Sequence, residues 1–161
     1  MSKRSEVPTL SATGVEAGYD QHQVLHGITF ESRDGVTCIF GPNGSGKSTF
    51  LKTLNGIVPV WDGTITYGDV DLTETKPENI VTHGIATLPQ GGGIFGSLSV
   101  KENLLVGAFT VGDDAAIDER MAEVIEVFPA LEDKLGQKAQ DLSGGQQMMV
   151  SLGRAMMTGA D

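Results

Sequence analysis

The residues of this chain best equipped for chemistry are Gly41-Pro42-Asn43-Gly44-Ser45-Gly46-Lys47-Ser48-Thr49. They fit the phosphate-cradling pattern G-x-x-x-x-G-K-[ST] at every position. Glycines at 41, 44 and 46 allow a tight loop whose N–H groups turn inward onto an anion. Lys47 adds a point charge that can reach the outer phosphates of a nucleotide, and the Ser48 hydroxyl can ligate Mg²⁺. A second anion-binding segment, Leu142-Ser143-Gly144-Gly145-Gln146, lies about a hundred residues downstream. Ser143 is a good helix N-cap, which puts Gly144 and Gly145 in a first turn whose amides are open to a negative charge.

The elements expected to position these groups follow from local pattern. Val36–Phe40 is β-branched and aromatic and reads as a buried strand feeding the glycine loop. Residues 50–55 continue as a helix that stops at Gly56. Residues 9–17 and 24–33 alternate as strands joined by Gly18 to Gln23, and 64–68 adds another, so an antiparallel sheet is expected beside the loop. Pro77 to His83 reads as a short helix before a core strand at 85–88, and 100–109 and 115–128 read as helices. After Ser143, apolar residues at 148, 149, 152, 155 and 156 recur at helical spacing. Residues 1–8 read as a loose tail.

The glycine loop alone does not name an enzyme class. No Asn-Lys-x-Asp guanine reader is present, and the four arginines at 4, 33, 120 and 154 are too scattered for a kinase lid. The pentapeptide 142–146 narrows the field. It matches letter for letter the signature of ATP-binding-cassette (ABC) ATPases, and with the glycine loop upstream the chain resembles the ATP-binding subunit of an ABC transporter. The resemblance runs from about residue 10 to 161. It implies an α/β fold: a P-loop NTPase core with an antiparallel β subdomain over residues 9–90, a helical subdomain over about 91–142, and a signature helix at 143–158.

By that resemblance ATP and Mg²⁺ are the ligands. Tyr19 would stack on adenine, and Gly41, Asn43, Gly44, Ser45, Gly46, Lys47, Ser48 and Thr49 would hold the phosphates. Gln90 would join Ser48 at Mg²⁺ as an accessory group and relay nucleotide state to membrane subunits. Ser143, Gly144, Gly145 and Gln146 would complete the ATP site of a partner ATPase, identical or related, in a head-to-tail dimer. Permease subunits would hold the dimer at the cytoplasmic face of the membrane, and a substrate-binding protein would contribute indirectly.

Within the family, the chain looks most like importers of branched-chain amino acids. The grounds are Gly93-Ile94-Phe95 leading to Leu98 through Leu104, then Phe128-Pro129-Ala130-Leu131, then Gln146-Gln147-Met148. It departs from that subgroup at Gly91-Gly92-Gly93, where an Arg is usual, and at Gly96, where Pro is usual, so a looser loop is expected there. The family's Asp-Glu motif, whose Glu polarises the attacking water, and its switch histidine are not found before Asp161. No residue present is therefore assigned the catalytic role. The chain is expected to be the N-terminal part of a longer subunit, binding Mg-ATP weakly and not turning it over.

Composition agrees with these expectations. Lys and Arg number 11 and Asp and Glu 21 in 161 residues, a net charge of −10. That acidity argues against nucleic acid and anionic lipid as partners. Much of it clusters between Asp113 and Asp133, as a solvated helix face or an adaptation to high salt. Soluble ABC ATPases acting on DNA or ribosomes would be expected to carry coiled coils, zinc ligands or basic arms, and none is visible. The single cysteine, Cys38, falls in the expected core strand and reads as a buried thiol. No signal peptide or membrane-length apolar run is seen.

Overall fold

The computed structural model describes residues 8–32, 35–89 and 91–159. Gln90 and nearly all of the expected tail lie outside the described residues. The chain forms two compact units, Met1–His83 and Gly84–Asp161. It combines an antiparallel sheet with helices, an α/β fold.

In the first unit the strands are β1 (Leu10–Tyr19), β2 (His22–Glu31), β3 (Val60–Tyr67) and β4 (Val70–Asp71). They form a four-stranded sheet in the order β2-β1-β3-β4, with antiparallel pairings. The expected antiparallel sheet is present, with β3 beginning at Val60 and the β1–β2 turn narrowed to Asp20 and Gln21. Asp20 holds φ 53° in that turn, a left-handed conformation an aspartate tolerates better than most residues. The register shifts between Thr13 and Glu16, where Gly63 of β3 crosses β1. A Cβ on Gly63 would stand 2.5 Å from the Gly14 carbonyl oxygen, so the bulge requires glycine. Ala12, Val15, Ala17, Leu25 and Ile65 form the buried face. Helix α1 (Lys47–Leu54) adds Phe50 and Leu54, and Phe50 packs edge-on against Phe30 at 5.5 Å between ring centres. It ends as expected, with Gly56 left-handed at φ 67°. A short α2 (Pro77–Ile80) continues into a 3₁₀ turn, Val81–His83.

Two expected strands are not formed. Residues 36–40 are irregular and exposed, with Val36 92% and Phe40 87% accessible. Residues 85–88 are irregular too. Both have the side chains of core strands, but a strand exists only through a neighbour's hydrogen bonds, and none of the described strands pairs with either. Cys38 is consequently exposed rather than a buried thiol.

The second unit is helical: α3 (Val100–Gly107), α4 (Asp114–Val127) and α5 (Gly144–Met157), with 3₁₀ turns at Pro129–Lys134 and Ala139–Asp141. Its core is Val100, Leu104, Ala108, Val124, Leu131, Leu142, Val150 and Met157. The α5 helix lies where the sequence puts it, but its buried face differs. Met148 and Leu152 of the apolar series are exposed, whereas Val150, Ser151, Gly153 and Met157 are buried. The small residues explain the shift. A Cβ on Gly153 would stand 2.7 Å from Val124 and 2.8 Å from Leu104, so glycine sets the close approach of three helices.

Helix α3 opens with a capping box. The Ser99 hydroxyl accepts from the Glu102 N–H at 3.2 Å, while the Ser99 N–H and hydroxyl both donate to the Glu102 carboxylate at 2.7 Å. These bonds, the hydroxyl's first and the N–H's second, hold the Glu102 carboxyl below its usual range. A depressed folded value means the stabilisation is complete above the unfolded carboxylate range and drains away as pH falls through the folded value. Glu102→Gln, which keeps an acceptor but does not titrate, is expected to flatten the acid limb of the stability curve, measured as urea midpoint against pH. An unchanged acid limb would show that the box does not respond to protonation.

Candidate nucleotide site

The loop 41–46 is shaped by backbone geometry that its glycines permit. Gly44 and Gly46 are left-handed at φ 85° and 87°. Gly46 is the N-cap of α1 and supplies no side-chain cap. The Ser45 N–H donates to the Pro42 carbonyl at 3.3 Å and the Phe50 N–H to the Gly46 carbonyl at 2.8 Å. Between these, the N–H groups of Lys47, Ser48 and Thr49 have no acceptor among the described residues. They point along the helix axis, the arrangement that favours an anion. Gly41 cannot carry a side chain without crowding the Ser45 hydroxyl, 2.8 Å from the position a Cβ would take.

Lys47 donates to the Gly41 carbonyl at 2.9 Å and the Pro42 carbonyl at 2.7 Å. Its ammonium thus sits on the rim of the loop beside the open amides. Ser48 is exposed, with its hydroxyl available to a cation, and Asn43 is exposed on the loop. Thr49 is buried, which leaves its N–H as its contribution. The donor set, amides plus an ammonium with one accessible hydroxyl, fits a polyphosphate with a small divalent cation.

Tyr19 ends β1 paired with His22 and is 43% exposed, with one ring face approached by the Lys52 ammonium at 5.9 Å. The floor under Gly46 is Leu25, at 3.1 Å from where a Cβ would lie, with Val24 at 3.5 Å. Sequence reading missed Lys52 and this floor. A cavity of about 380 Å³ is lined by Leu25, Ile28, Thr29 and Phe30 of β2, by Ile39, Phe40 and Phe50, and by Gly41, Pro42, Ser45, Gly46 and Lys47 of the glycine loop, so it joins an apolar wall to the loop's polar groups.

In the second unit, Ser143 caps α5 with a capping box: its hydroxyl accepts from the Gln146 N–H at 3.4 Å, and the Gln146 side chain accepts from the Ser143 N–H at 3.2 Å. Gly144 and Gly145 have nothing within 4 Å of where a Cβ would lie, and their N–H groups are open at the first turn. The segment before the cap is tied down by Val100 N–H to the Gln137 carbonyl at 2.9 Å, Ala139 N–H to the Leu98 carbonyl at 2.9 Å and Gln140 N–H to the Gly96 carbonyl at 3.1 Å. Buried Asn103 fixes the intervening turn, accepting from the Phe95 N–H at 2.8 Å and donating to the carbonyls of Phe95, Leu98 and Ser99.

Beyond these geometries, residues 25–161 match the family model described as ABC transporter. The chain is 38% identical over 151 residues to the high-affinity branched-chain amino acid transport ATP-binding protein BraG of Pseudomonas aeruginosa, covering 92% of this chain and 64% of the relative. It is 33% identical over 153 residues to the probable branched-chain amino acid transport ATP-binding protein LivF of Archaeoglobus fulgidus, covering 94% and 64%. The crystal structure of an ATP-binding cassette of an ABC transporter in its ADP conformation superposes with a TM-score of 0.82 at 28% identity, covering 95% of this chain and 66% of that one. The chain spans 64% of the length of both curated relatives. With the family model matched over most of its length, the chain belongs to the ABC transporter family.

Proposed function

We propose that this chain is the nucleotide-gripping part of an ATPase subunit that powers import, with branched-chain amino acids as cargo. The observation that carries the ATP reading is the opening of α1: three unpaired first-turn amides with the Lys47 ammonium on the adjacent rim. Mg²⁺, when bound, would neutralise phosphate charge; Ser48, which is exposed, would be the side chain that holds it, with Gln90 as a further candidate from the sequence. Tyr19, which is 43% exposed, would support the base by stacking, so discrimination among bases should be weak. The cargo assignment is supported by the likeness to BraG and LivF, which are branched-chain amino acid transport ATP-binding proteins.

The open amides of Gly144 and Gly145 are proposed to serve the nucleotide of a second copy. Ser143 and Gln146 would hold that turn in shape while leaving the amides exposed. Permease subunits at the cytoplasmic membrane face would receive the resulting motion. The described residues include no helix long and apolar enough to cross a membrane. The pairing is tested in the subunit extended to its relatives' length, by sedimentation with ATP and Mg²⁺. Gly145→Asp places a carboxylate where a phosphate is to sit. It is expected to abolish ATP-driven pairing while binding of ATP to the unpaired subunit stays within about twofold, because the P-loop is untouched. Pairing that survives Gly145→Asp would remove α5 from the site.

A further inference from the structure

The three glycines at 91–93 do more than loosen their loop. Their φ values are 84°, 82° and 57°, a run of left-handed residues that only glycine adopts readily. The segment is gripped by α5. The hydroxyl of fully buried Ser151 donates to the Gly92 carbonyl. One helical turn further, the Arg154 guanidinium donates to the Gly93 carbonyl at 2.8 Å and lies over the Phe95 ring, 5.2 Å from its centre. Two donors spaced i, i+3 on one helix face thus hold consecutive carbonyls, and a cation–π contact fixes the next aromatic.

We propose that Ser151 and Arg154 are positioning residues that make the Gly91–Phe95 segment move with α5, so that an anion engaged at the Gly144–Gly145 amides changes the placement of this segment. The proposal rests on the nucleotide reading above for its ligand, but the clamp itself does not. A helix is stiff along its length, and Ser151 lies two turns beyond its opening. A shift at Gly144 is therefore carried to Arg154, and the side-chain bonds carry it on to the loop. On this proposal the loop that the glycines loosen takes its position from the signature helix.

Amide hydrogen exchange of the subunit, titrated with ATP and Mg²⁺, tests this. In the unsubstituted protein, exchange is expected to slow at 144–146 and at 91–95 in the same titration. In Arg154→Ala the first response should persist and the second disappear, with basal exchange at 91–95 rising about tenfold as the loop opens locally. Arg154→Lys, which keeps the cation and a donor, should restore part of the response. Phe95→Leu removes only the ring and serves if Arg154→Ala folds poorly; it should weaken the 91–95 response. A 91–95 response that is intact in both Arg154→Ala and Phe95→Leu overturns the proposal. Failure of the nucleotide reading is distinguishable, since it would appear as no ATP response at 44–49 in the unsubstituted protein. The basal exchange comparison would still judge the clamp: unchanged exchange at 91–95 in Arg154→Ala would overturn it.

Discussion

Lys47→Ala is expected to weaken ATP binding about 30-fold, a loss of about 2 kcal/mol, which is the usual worth of a hydrogen bond made by a charged group. The ammonium sits on the loop's rim against the carbonyls of Gly41 and Pro42, so it is already gathered beside the amides that would receive phosphate. Little ordering is needed to redirect it, and most of the charge-assisted bond should be realised. Fold stability should change by less than about 1 kcal/mol, because the bonds lost are at an exposed site. The measurements are calorimetric titration with Mg-ATP and a thermal melt on the same sample. An unchanged dissociation constant would mean that the loop does not hold nucleotide. A matching loss of stability would mean that Lys47 acts on the fold instead.

Gly107→Ala is expected to destabilise the helical unit by about 3 kcal/mol, at the upper end for overpacking. The Cβ would collide with the Arg154 carbonyl oxygen and crowd the Arg154 side chain. The oxygen belongs to the α5 backbone and cannot swing away as a rotamer does, so α3 and α5 must separate around the core of Leu104, Val124 and Val150. Gly112→Ala is the control, since nothing lies within 4 Å of its Cβ position and its φ is not in the left-handed region. Urea unfolding of the two variants should differ by the full amount. Equal midpoints would show that the helices yield at this crossing.

The parts of the site legible in the sequence are those specified by neighbours in the chain. Ser143 and Gln146 form a box within four residues, and Gly46 and Gly56 punctuate α1 by their own backbone freedom. Features specified by distant partners were not legible. Residues 36–40 have strand-forming side chains, but strand geometry belongs to a pair, and no described strand lies alongside. Helix α5 was found but its buried face was not, because periodicity weighs Met148 and Leu152 above Gly153 and Ser151, and close packing favoured the small residues. Asn103 could be read as one polar residue in a helix. Its role, closing the turn from Phe95 to Ser99 with four hydrogen bonds, depends on where that turn folds back.

The run at Gly91–Gly93 has a chiral consequence. At each of its backbone angles a D-amino acid would be more at ease than any coded residue other than glycine, since inverting the α-carbon inverts the steric map. At Gly93 an L-methyl would also strike the Pro89 ring. At these three positions glycine is the coded residue whose steric map treats both signs of φ alike, and the chain there follows a path of positive φ that a mirror-image residue would take without strain.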